Sequence, residues 1–214
     1  MNKSAKTPRA PGRPAAAATV QREQLLSIAT DLFAQQGIQA TRLRAIAERA
    51  GVTPALLNYY FGNKERLVEA MVEERFLPLV ARAAAQLQQA GDDPLALVEA
   101  FIRDMVRNVT EQPWLSQLWV REILCEGGVL RERLMHRVAP MVPLLLAQKF
   151  AAAQARGALN PGLDPRLLVV SLIGLTLLPY AAAPIWRGVF ANPQIGDDAL
   201  IAHTLALLKG GMEP

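Results

Sequence analysis

The sequence predicts an all-α chain of two parts, a small amino-terminal helical unit and a larger helical bundle. Three observations lead there. No stretch alternates apolar and polar residues with period two over a useful length. Apolar residues recur instead three and four positions apart. Glycine stops and hydroxyl- or Asp-proline starts divide the 214 residues into helix-sized pieces. A hydrophobic content of 51% is enough for one or two helical domains with a real core.

The first helix, roughly Val20 to Gln36, buries Leu25, Leu26, Ile28, Ala29, Leu32 and Phe33 on one face, and Gly37 closes it. The next carries Leu43, Ile46, Ala47 and Ala50 at helical spacing, with Thr41 expected as its N-cap. Gly51 supplies the left-handed turn residue, Val52 plugs the angle, and Thr53-Pro54 caps and opens a third helix, Pro54 to Phe61. At barely two turns this helix needs packing to persist, and Leu57 and Phe61 are its inward anchors. Gly62 ends it, and Asn63 caps a helix opening Lys64-Glu65-Arg66-Leu67.

Two short helices around a Gly-Val-Thr turn form a helix-turn-helix, a unit suited to placing one helix in the DNA major groove. The outward face of the third helix carries Ala55, Asn58, Tyr59 and Tyr60. Ala55 permits close approach to bases, and an asparagine at 58 can pair bidentately with adenine. Thr53, Pro54, the tyrosine hydroxyls, Lys64, Arg42 and Arg44 are candidates for fixing the register on phosphates.

At this point the chain resembles the tetracycline-repressor (TetR) family of bacterial transcriptional regulators. The resemblance rests on Ala29, Leu32, Phe33 and Gly37, on Thr41 and Ile46-Ala47, on Gly51-Val52-Thr53, and on the run from Tyr59 to Leu67. It departs from the family where Asn58 stands in place of a frequent Tyr, and where Tyr60 stands in place of a common His. The resemblance implies a homodimer with a double-stranded DNA operator, a small-molecule effector, and a four-helix dimer interface from the penultimate long helices. In this sequence those helices are residues ~140–156 and ~165–180, with Ala152, Leu168, Leu172 and Leu175 as candidate interface residues.

Charge agrees with that division. Residues 1–67 hold ten Lys/Arg against four Asp/Glu, and residues 68–214 hold thirteen against fifteen. A basic amino-terminal part on a slightly acidic remainder suits nucleic-acid binding by the first part. Residues 1–19, with Lys3, Lys6, Arg9 and Arg13 and no acid, are expected to be a disordered basic arm that either follows DNA or only solubilises the chain. Residues 20–67 form the DNA-binding domain, and 68–214 the effector-binding and dimerisation domain.

In that second domain a long helix runs from Leu67 to about Ala90. Asp93-Pro94 starts another, through Glu111, with Phe101, Met105 and Val109 inward. Pro113 opens a helix with Trp114, Leu118, Trp119 and Ile123, which Gly127-Gly128 breaks. Two helices between about Val129 and Arg156 bend around Pro140 and Pro143. Asp164-Pro165 starts an uncharged run, Leu167 to Trp186, and a last helix covers about Asp197 to Lys209. By length that run could span a bilayer, but Pro179 and Pro184 favour a helix buried against a partner, and no membrane association is expected.

Enzyme constellations are absent from the sequence: two distant histidines, no cysteine pair, no phosphate loop and no nucleophile elbow. No metal, cofactor or catalytic residue is expected. Cys125, the single cysteine, fits a reducing cytoplasm and ordinary packing. An effector pocket is expected around Trp114, Leu118, Trp119, Arg121 and Tyr180. For Arg121 a carboxylate pair or a solvent-facing position is the simpler alternative, and for each aromatic plain core packing is an equal one. The expected function is a ligand-responsive repressor. Its rival is a dimerising helical module that no longer binds DNA specifically.

Overall fold

A computed structural model describes residues 15–190 and 195–214. It contains twelve α-helices among these residues and no strand. The amino-terminal unit is α1 (Ala15–Gln36), α2 (Leu43–Arg49), α3 (Pro54–Phe61) and α4 (Lys64–Met71). α4 continues through a π-helical turn (Val72–Phe76) into α5 (Leu77–Gln89). The bundle adds α6 (Pro94–Glu111) and α7 (Trp114–Leu118), the latter passing into a second π-helical turn (Trp119–Leu124). Then come α8 (Leu130–Val138), α9 (Pro143–Ala155), α10 (Pro165–Ala181), α11 (Ala183–Val189) and α12 (Asp197–Met212).

Local chemistry sets most of these ends. Thr53 Oγ1 accepts from Leu56 N at 3.3 Å and Asn63 Oδ1 from Arg66 N at 2.9 Å. Asp93 and Asp164 cap α6 and α10 in the same way, each followed by proline at the first helical position. Gly51 turns α2 into α3 at φ +66°, where a side chain would be strained. Thr53→Ala is expected to lower stability by about 1 kcal/mol through the lost cap. Chemical denaturation measures it, as a shift of the midpoint at unchanged slope.

Several sequence expectations change. α1 begins at Ala15, so the last residues of the expected arm are helical, while residues 1–14, including its four basic residues, lie outside the described residues. Thr41 is not the cap of α2. Arg42 occupies that position without a side-chain bond, and the buried Thr41 hydroxyl donates to the Gly37 carbonyl at 2.7 Å. It therefore closes the end of α1 rather than the start of α2. Cys125 is exposed rather than packed. The uncharged run is two helices, because α10 and α11 meet at 70°. Among the described residues no single helix is long and apolar enough to cross a membrane, and only this bent pair passes by length and composition.

Two apolar cores run through the protein. One joins α1, α3 and α4 to α7, α8 and Leu177 of α10. The other joins α5, α6, α9, α10 and α12. The boundary drawn at Leu67 falls inside α4, whose Leu67 and Val68 are both buried, so the amino-terminal unit and the bundle share a continuous interior. Phe33 and Leu118 lie in that shared interior, fully buried. A movement within the bundle therefore has direct packing contact with α1, on which α2 packs.

Candidate nucleic-acid interface and bundle cleft

α3 is held from below and open above. Leu57 and Phe61 are buried against α1 and α4, and Arg22 stacks over the Phe61 ring at 4.9 Å. Spaced three and four residues apart, Ala55, Asn58 and Tyr59 all face solvent. Tyr59 is 80% exposed, and its ring meets Tyr60 edge-on at 5.3 Å. An aromatic side chain left that open on a rigid two-turn helix is a ready contact surface.

The remaining candidates divide. Thr53, Pro54, Arg42 and Arg44 are exposed. Arg44 pairs with Glu48 at 2.8 Å, an open surface pair that a phosphate can displace at little cost. Tyr60 is half-buried and its hydroxyl donates to Gln21 Oε1 at 3.2 Å, so it braces α3 on α1 rather than standing free. Lys64 donates to the Gln39 carbonyl at 2.9 Å and so ties α4 to the turn before α2.

The bundle holds an apolar cleft of about 80 Å³, several times the space that one water needs. It opens between α5, α6, α7, α8, α9 and α10. Phe76, Phe101, Met105, Trp119, Val142 and Leu177 are among its walls. Its polar groups come from α6. Asp104 and Asn108, one turn apart, are both buried, and Asn108 Nδ2 donates to Asp104 Oδ2 at 2.9 Å. Arg107 donates to Asp104, and Arg82 to the Asn108 side-chain oxygen. Burial pushes the Asp104 carboxyl upward, against the opposing pull of Arg107 and Arg82.

Of the five expected pocket residues only Trp119 lines this cleft. Trp114 and Leu118 are core residues of the amino-terminal cluster, and the Trp114 indole donates to Gln112 Oε1 at 2.8 Å. Arg121 lies in a shallow surface depression beside Gln35, Gln117 and Cys125. Tyr180 turns towards α12, where its hydroxyl donates to Asp197 Oδ1 at 2.6 Å. The sequence reading missed Asp104 and Asn108. Their signal was present, since they share the face of Phe101 and Met105 at steps of three and four, where an apolar residue is the rule.

Burial, and then the bond to Asp197, pushes the Tyr180 phenol up to about 12. A raised pKa means that the folded protein holds this proton while the unfolded chain loses it at the ordinary value, 10.0. The stabilisation is complete below 10 and is lost as pH rises towards about 12. In thermal melts across that window, the native chain is expected to lose stability more steeply than Tyr180→Phe. Parallel curves for the two would contradict this.

The expected interface residues also divide. Ala152 on α9 is exposed, and Leu175 on α10 is partly so. Leu168 and Leu172 are buried in the core of their own bundle. The outward stripe of α10 is instead Leu167, Val170, Gly174 and Leu178, beside Leu144 and Ala151 to Ala152 on α9. Among the described residues no group of His, Cys, Asp or Glu could hold a metal ion.

Comparison with known proteins agrees with this geometry. Residues 25–71 match the family described as bacterial regulatory proteins, tetR family. The HTH-type transcriptional regulator RutR of Escherichia coli K12 is 33% identical over 125 residues, 58% of this chain and 57% of that protein, so the match leaves a large part of the relative's length uncovered. The regulator UidR of the same organism is 23% identical over 89% of this chain and 92% of its own. Among solved structures, NalD, the secondary repressor of the MexAB-OprM multidrug efflux pump in Pseudomonas aeruginosa, superposes with a TM-score of 0.68 at 25% identity, covering 92% of this chain and 98% of that one. The ketosteroid regulator KstR2 of Mycobacterium tuberculosis shares the fold at a TM-score of 0.70 and 18% identity, over 91% of this chain and 95% of that one. All four are transcriptional regulators by name rather than enzymes.

Proposed function

This chain belongs to the TetR family of bacterial regulatory proteins, whose DNA-binding domain it carries at residues 25–71, and we propose that it is a homodimeric, sequence-specific transcriptional repressor released from its operator by a small apolar molecule. The observation that carries the reading is α3: two anchors buried, and Ala55, Asn58 and Tyr59 presented together to solvent. That face offers a small residue for close approach, an amide for base edges, and an aromatic hydroxyl for the backbone.

One α3 reads only a few base pairs, so specificity requires two copies. Pairing through the apolar stripe of α9 and α10 buries side chains that are otherwise open to water, and its small residues allow the helices to come close. Two-fold symmetry then calls for a pseudo-palindromic operator with half-sites about 34–36 Å apart, or a multiple of that. Repression rather than activation is supported by the name of NalD, a repressor that aligns with nearly the whole chain.

The cleft is the proposed effector site. Its walls are apolar, and Asp104 and Asn108 already have partners in Arg82, Arg107 and each other. A ligand therefore gains by burying hydrocarbon or ring surface rather than by satisfying a bare polar group. Release requires the ligand to prefer the conformation that does not fit DNA.

Selection of duplexes from a random pool by the full-length protein at fixed salt tests the function. Enrichment of an inverted repeat is the expected result. A pool that emerges without sequence preference would remove the proposal.

A further inference from the structure

We propose that Glu122 is a positioning residue for DNA binding, holding the turn in front of α2 and linking it to the cleft. The inference rests on the DNA-binding reading above. Glu122 lies in the bundle but grips the turn between α1 and α2. Its Oε1 accepts from the backbone N of Ile38 at 2.8 Å, and its Oε2 from the N of Val129 at 3.0 Å. The residue is 4% exposed, so both bonds are sheltered from water and salt. A carboxylate offers two acceptor oxygens and an amide only one, so Glu122→Gln leaves one of the two N–H groups, of Ile38 or Val129, without its partner.

The surroundings fit this side chain closely. Gly37 adopts φ +90°, and a Cβ there would lie 3.3 Å from Glu122 Oε1 and 3.2 Å from Arg121 Cδ. A Cβ on Gly128 would fall 2.2 Å from the Glu122 carbonyl oxygen. Arg131 holds the exit of the same segment by donating to the carbonyls of Ile123, Leu124 and Cys125 at 2.7–2.8 Å.

The link to the cleft is covalent and short. Trp119, three residues earlier in the same π-helical turn, is a cleft wall. The other π-helical turn repeats the arrangement. Phe76 lines the cleft, while Glu74 holds Arg22 of α1 through two bonds of 2.6 Å and Arg75 holds Glu23 at 2.8 Å. Each turn thus joins one cleft side chain to a contact on the amino-terminal unit. π-Helical turns are rare and recur at functional sites. The Glu74 and Arg75 pairs are partly open to solvent, whereas Glu122 is buried and bonded to backbone. Displacement of Trp119 is therefore transmitted through Glu122 to Ile38, and DNA binding at α3 is felt reciprocally at Trp119.

The test uses the full-length chain labelled with 5-fluorotryptophan, whose three tryptophans give three fluorine resonances, Trp119 being assigned from Trp119→Phe. The probe is the duplex enriched in the selection experiment. Failure of the native chain to enrich any duplex would overturn the DNA-binding reading, and this proposal with it, before the fluorine spectra are recorded. With DNA bound, the Trp119 resonance of the native chain is expected to shift. Glu122→Gln is expected to bind about tenfold more weakly, within the range usual for coupled sites, and at saturating DNA to lose most of that shift. Gly37→Ala, which crowds the same carboxylate from the other side, is expected to do the same and carries the test if Glu122→Gln does not fold. A Trp119 resonance indifferent to DNA in the native chain overturns the proposal. So does a full shift at saturation in the variants, the result for a residue that merely stabilises the fold.

Discussion

Val170→Asp is expected to leave the protomer folded and to reduce operator affinity by about 10²–10⁴-fold, the range by which two linked sites exceed one. Val170 is 63% exposed in the single chain, between Leu167 and Gly174 on the outer stripe of α10. A carboxylate there stays hydrated in the monomer and costs little. In a two-fold dimer it would enter an apolar interface opposite its own copy, and an unpaired buried charge is among the largest penalties available. Sedimentation at fixed concentration reads the assembly, and gel shift at fixed salt reads the affinity. Val169→Asp, one residue away, is the contrast. Val169 points into the protein's own core, so its replacement is expected to unfold the chain rather than dissociate it. A Val170→Asp protein that stays dimeric would place the interface elsewhere.

Asn58→Ala is expected to cost about 1–3 kcal/mol of discrimination at one base pair of each half-site, the worth of a good bidentate contact. Its melting temperature should hardly move, because the side chain is exposed and makes no bond among the described residues. Tyr59→Ala should behave differently, weakening all sequences alike, since a hydroxyl on phosphate carries no base identity. Parallel selections with the native chain and the two variants separate these outcomes. An unchanged consensus from Asn58→Ala would transfer base reading to another residue of α3. Tyr60→Phe, by contrast, removes the brace to Gln21, and its effect belongs to the seating of α3 on α1.

The features that could be read from the chain alone are those with a short range. Gly51, Thr53-Pro54, Gly62 and Asn63 set the bounds of α3 because a cap or a left-handed turn involves residues within four positions. Leu57 and Phe61 were legible as anchors for the same reason, since they stand one helical turn apart, at i and i+4. Asp93 and Asp164 begin α6 and α10 as their Asp-Pro pairs indicate. Thr41 marks the limit of such reasoning. A threonine before an apolar helix reads as a cap, yet its hydroxyl is taken by the carbonyl at the end of the preceding helix.

Which way α10 faces was decided by tertiary structure. An uncharged helix has no polar side to mark the outside, so Leu168 and Leu172 could not be told from Leu167 and Val170 until α6 and α9 were packed against it. The cleft is likewise a property of six helices together, and only the buried Asp104 and Asn108 hinted at it from within one. In the sequence Glu122 is one of two adjacent charges, with Arg121, in an otherwise apolar helix. It became a buried link because the fold brought Ile38, 84 residues away, within hydrogen-bond reach of it. Caps and turns form from neighbours in sequence. Faces, clefts and links form from neighbours in space, and those exist only once the chain has folded.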